Sequence, residues 1–144
     1  KSGRTVYGGG GITPDVYIPY KNDLNSETSK ILRNPKRPIF NFSSNYVSTN
    51  NNNFKTFTNF RDSWEISDEI LNDFFTYLEN DSINVVKDSL IIDQEFLKNR
   101  IKSEIAGSIW GKDEATNIRL LKDNQVIESL KHFHEADAFL KSMN

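Results

Sequence analysis

Five of the seven glycines fall at Gly3 and Gly8 to Gly11, and none follows until Gly107 and Gly111. That distribution rules out one kind of backbone from end to end. A glycine-rich opening calls for turns and extended chain, whereas the long glycine-free stretch leaves helices free to run. Thr5, Val6 and Tyr7 favour a short strand bounded by Gly3 and the run Gly8 to Gly11. Pro14 and Pro19 then hold the chain extended through Val16, Tyr17 and Ile18. A lone strand pair is marginal in water, so this opening is expected to dock on a larger sheet or on the helices that follow.

From about Leu24 the apolar residues recur at helical spacing, and a boundary is placed at residues 22/23. Ser26 to Leu32 reads as a short helix ended by Asn34-Pro35, and Pro38 suits the first turn of another running through Phe40, Phe42, Tyr46 and Val47. Four asparagines, Asn50 to Asn53, predict a mobile bend. Ser67 is placed to cap a helix with Asp68 and Glu69 in its first turn and Ile70, Leu71, Phe74, Phe75 and Leu78 on its buried face.

Leu97, Ile101, Ile105 and Ile109 repeat every fourth residue, with Phe96 and Trp110 alongside and Gly111 placed to end the helix. Its start is open between a cap at Asp93 and a longer helix from near Asp88 that takes in Leu90 and Ile91. The longer helix is preferred. Ala115, Ile118 and Leu121 continue the pattern and Asp123-Asn124 breaks it. Val126, Ile127, Leu130, Phe133, Leu140 and Met143 then mark one last amphipathic helix. The expected fold is mainly α: a bundle of about five to seven helices over residues 23–144, preceded by a short β or extended segment over residues 1–22.

The chemistry expected of such a chain is sparse. Four glycines followed by Ile12-Thr13-Pro14-Asp15 lack the Gly-Lys-Ser/Thr of a phosphate loop. His132 and His134 would point about 200° apart on a helix, unlike a metal-gripping i, i+4 pair, and are read as surface histidines flanking a buried Phe133. No Gly-x-Ser-x-Gly elbow marks a nucleophile. Asp68-Glu69 and Asp113-Glu114 sit at helix starts, where the helix dipole accounts for them. Phe54, Phe57, Phe60 and Trp64, three or four residues apart, would share one face of a short helix. They read first as core, and second as a groove for a peptide or partner helix. No catalytic, cofactor or metal residue is assigned.

With a net charge of −2, a pI of about 5.7 and Lys/Arg mixed with Asp/Glu, a nucleic-acid partner is not expected. The absence of cysteine excludes disulfides and thiolate sites. No apolar run approaches the roughly 18 to 20 residues that span a bilayer. The opening Lys1-Ser2-Gly3-Arg4 has neither a methionine nor a signal-peptide core, which predicts a piece of a longer protein.

The run Ser2-Gly3-Arg4-Thr5-Val6-Tyr7-Gly8-Gly9-Gly10-Gly11-Ile12-Thr13-Pro14-Asp15-Val16 resembles the end of the catalytic core in carboxyl-terminal processing peptidases, the tail-specific proteases. The stretch Phe54 to Trp64, the Ser67 to Leu78 helix and Ala106-Gly107-Ser108-Ile109-Trp110-Gly111 resemble the helical extension of exported bacterial members. The resemblance implies a serine peptidase with a Ser/Lys dyad and a PDZ-like module, located in the periplasm or cell envelope. It implies that residues 1–22 are the edge of the peptidase core and that the helices pack on that core. Protein or peptide substrates would be reached through the full-length enzyme, and a homo-oligomer is a further possible partner state. The family's serine motif and Gly-Lys-Gly setting have no counterpart here, so no catalytic residue carries over and the chain alone is expected to be inactive. A free-standing helical interaction module is the alternative.

Overall fold

Pro38, Ser67 and Gly111 each stand at a helix end in the computed structural model, which describes residues 16–21, 23–50 and 54–142. The strand expected near Thr5, its glycine turn, most of the asparagine bend and Met143 lie outside the described residues. Those residues hold nine helices and no strand, a mainly helical fold. The chain divides into two units. One is Asn22–Lys122; the described part of the other is residues 16–21 and 123–142.

In the larger unit, Asn25 caps α1 (Ser26–Arg33) by accepting from the Glu27 N–H. The basic residues Lys30 and Arg33 in its last turn suit the negative end of the dipole. Asn34, before Pro35, is extended, as the proline ring requires of its predecessor. Pro38 occupies the first turn of α2 (Pro38–Thr49), where the missing N–H costs nothing. Thr56 caps α3 (Phe57–Ser63), and Ser67 caps α4 (Asp68–Asn80) by accepting from the Ile70 N–H at 3.2 Å.

The preferred long helix is corrected. α5 (Lys87–Ile92) and α6 (Gln94–Ile109) are separate, and Asp93 between them has φ −102° and ψ 23°. Asp93 sits at the start of α6 without capping it, because its carboxylate accepts from the Asn25 N–H at 2.7 Å. Gly111, at φ +121°, separates α6 from α7 (Lys112–Leu120), a conformation that side chains other than glycine rarely adopt.

α6 serves two neighbours with two faces. Leu97, Ile101 and Ile105 are wholly buried in a core shared with Phe42, Phe60, Phe74 and Leu78. Phe42 and Phe74 meet edge to face at 5.2 Å. Asn99, Ser103 and Gly107, four residues apart, face α7. The Asn99 amide donates to the Ile118 carbonyl, the Ser103 hydroxyl donates to the Ala115 carbonyl, and a Cβ on Gly107 would stand 3.2 Å from that of Ala115. Small and polar residues at this spacing permit a close, hydrogen-bonded helix pair, which accounts for Gly107 inside a helix.

The second unit is built otherwise. Asp123 caps α8 (Asn124–Lys131), accepting from the Gln125 and Val126 N–H groups, and α9 (Phe133–Ser142) follows after a turn at His132. The single last helix is therefore corrected to two, because the chain at His132 tightens until its N–H reaches the Ser129 carbonyl. The Gln125 and Asn124 side chains donate to the carbonyls of Ile18 and Pro19, so polar contacts hold residues 16–21 beside α8. α8 buries no residue, and Phe133, expected inside, is 65% exposed.

Candidate functional site

The four aromatic residues singled out from the sequence come together, although not on one helix: Phe54 precedes α3 and Trp64 follows it. Phe60 is wholly buried, and Phe54, Phe57 and Trp64 are partly so. Phe54 meets Phe60 edge to face at 4.8 Å, Trp64 stacks on Phe60 at 4.9 Å, and Phe57 lies 5.7 Å from Trp110. Trp110 also reaches Phe60 at 5.1 Å, so the rings secure α3 against the end of α6.

His132 Nδ1 lies 2.9 Å from Glu135, and His134 is exposed. Among the described residues no group of three His, Asp or Glu could hold a metal ion. Asp68, read from the sequence as a dipole partner only, also accepts from the Lys98 ammonium at 2.7 Å. That carboxylate holds the Lys98 pKa above the ordinary lysine value and keeps it cationic, despite the opposing effect of burial.

One turn further along α6, Lys102 is 4% exposed. Its ammonium donates to the Arg61 carbonyl at 2.9 Å and to Glu65 at 3.0 Å, and lies 5.6 Å from the centre of the Phe60 ring. Arg61 is in the last turn of α3, where carbonyls lack helical partners, so Lys102 satisfies one of them. Lys98 and Lys102 line an open cavity of about 310 Å³ together with Lys122, over an apolar floor of Ile66 and Ile118. The carboxylates at its rim, Glu65 and Glu95, are 78% and 77% exposed. Sequence reasoning passed over this site. Its one local signal is Lys98 and Lys102 at i, i+4 on one face of α6.

Residues 30–111 match DUF8443, a family of unknown function, over more than half of the 144 residues, and the chain belongs to that family. The match takes in Glu65, Lys98 and Lys102 and ends at Gly111; the run Ser2 to Val16 lies outside it. No curated protein and no solved structure matches the chain.

Proposed function

We propose that this chain is the non-catalytic C-terminal region of a carboxyl-terminal processing serine peptidase of the cell envelope. Its helices pack on the peptidase core and support assembly or position protein substrates for proteolysis. The observation that carries this reading is the run Ser2 to Val16, which resembles the closing stretch of that peptidase core. The second reading, a free-standing helical interaction module, is favoured by the self-contained core of Asn22–Lys122.

Sequencing the gene upstream of the codon for Lys1 separates the two. The peptidase reading expects a serine motif, a Gly-Lys-Gly strand and an export signal there, and expects the gene product to cleave peptides until that serine is replaced. The purified chain itself should leave a peptide library intact. Upstream sequence without those motifs, or cleavage by this chain alone, would overturn it.

A further inference from the structure

We propose that α5 is a flap latched to α1 by two carboxylates, Glu27 and Asp93, and that acid releases it while the rest of the Asn22–Lys122 core stays folded. The inference goes beyond the peptidase reading and does not depend on it. Glu27, in the first turn of α1, accepts from the Val86 N–H just before α5 at 3.2 Å. Asp93, just after α5, accepts from the Asn25 N–H just before α1 at 2.7 Å. The Asn25 side chain in turn accepts from the Glu27 N–H, so both ends of α5 are tied to the same turn of α1.

Little else holds α5 down. Six residues are too few for a helix to persist by itself, the N-terminus of α5 has no side-chain cap, and Leu90 alone of the six is buried. A charge-assisted hydrogen bond and the burial of one leucine stabilise by similar amounts, so the two carboxylates carry a share of the docking comparable with that of Leu90. Breaks in the backbone flank the flap, at Ser82 with φ +55° and at Asp93 between α5 and α6. Beyond the second break, α6 is anchored independently through Leu97, Ile101 and Ile105. Release of α5 would widen the cavity of about 190 Å³ lined by Phe75, Ile83, Val85 and Leu90 into an apolar cleft.

Acid acts on this latch in a definite direction. Lys30 and the Val86 N–H hold the Glu27 carboxyl below its ordinary pKa of 4.5. Lys30 lies on the same helix and stays beside Glu27 whether or not α5 is docked, so the Val86 contact is what couples the proton to the flap. Undocking α5 raises the Glu27 pKa, and the undocked form therefore gains population as pH falls through that range. The other charges on the elements around the latch are engaged elsewhere or exposed. Lys87 of α5 and Arg37 at the start of α2 lie over the Phe75 and Phe40 rings, Asp88 is exposed, and Glu95 of α6 lies 3.8 Å from Lys98.

The test is amide hydrogen exchange of the whole chain from about pH 6 to about pH 3, with each rate referred to that of an unstructured peptide at the same pH. Protection of the Leu90 and Ile91 amides should fall below about pH 4.5 while that of Ile101 and Ile105 in α6 is retained. At neutral pH, Asp93→Ala removes an acceptor and should lower protection in α5 about tenfold. Glu27→Gln still accepts from Val86, but as a neutral group, and should lower it about threefold and shrink the further fall in acid. Loss of protection in α5 and α6 together, an acid response unchanged by Glu27→Gln, or α5 protection unaltered in both variants would overturn the proposal.

Discussion

The unit Asn22–Lys122 and the helix α8 obey the same local rules and end in different states. Ser67 caps α4 and Asp123 caps α8 by the same side-chain-to-backbone hydrogen bonds, and both helices carry apolar residues at helical spacing. α4 nevertheless buries Leu71, Phe74, Phe75 and Leu78, while α8 buries nothing and leaves Ile127 and Leu130 at 41% and 59% exposure. Capping and periodicity suffice to make a helix, and the contrast shows that they do not choose what covers it. Most helical stability in proteins comes from packing an apolar face, so the two should differ sharply when perturbed.

The strongest blow to the contrast is Phe74→Ala, which empties a wholly buried site against Phe42. Urea unfolding should register a loss of about 3–5 kcal/mol. A loss below about 1 kcal/mol would mean that the larger unit is loosely packed too. Next comes Gly111→Ala, which places a Cβ at φ +121°. Strain of about 1–3 kcal/mol should lower the melting temperature of the unit, even though the nearest atom to the added Cβ, on Glu114, lies at an ordinary 3.6 Å.

The cap pair sharpens the comparison at smaller magnitude. Ser67→Ala and Asp123→Ala should each remove about 1 kcal/mol of helix stabilisation. The first should appear in global unfolding, the second only as faster amide exchange within α8. Smaller still is an effect confined to acid. The Lys30 ammonium and the Val86 N–H hold the Glu27 carboxyl below its ordinary pKa of 4.5. A depressed folded pKa gives stability that is complete above the ordinary value and lost as pH falls through the folded one. Glu27→Gln should therefore flatten the acid side of the stability curve below about pH 4.5 and leave its slope at neutral pH unchanged. Least of all, Leu130→Ser on the exposed face of α8 should change stability by less than about 0.5 kcal/mol. A larger change would show that this face is covered in solution, and would erase the contrast.

How far the fold was legible follows the range of the interactions. Ser67, its acidic first turn and the Leu71 to Leu78 face lie within one helix, and the structure has them where their spacing places them. The break at Asp93 was legible only as the alternative not preferred, since the contact its carboxylate makes is with an N–H 68 residues away. Phe133 was misplaced for a related reason: an apolar residue flanked by polar ones looks the same whether or not anything lies over it. The aromatic residues were legible as a group but not as a geometry, since Phe54 and Trp64 join Phe60 from outside the helix. The lysine cavity was hidden most completely, as the partners of Lys102 stand 37 and 41 residues before it.

By itself the amino-acid order determined the helical class, the cap at Ser67, the proline start of α2 and the glycine stop after α6. Each follows from steric or hydrogen-bonding demands satisfied within about one helical turn. Only the tertiary structure decided which apolar faces are covered, where the α5–α6 path breaks, and that a buried lysine stands beside an open cavity. Burial and long-range hydrogen bonds depend on segments that meet in space, and that information is not carried by any single stretch of chain.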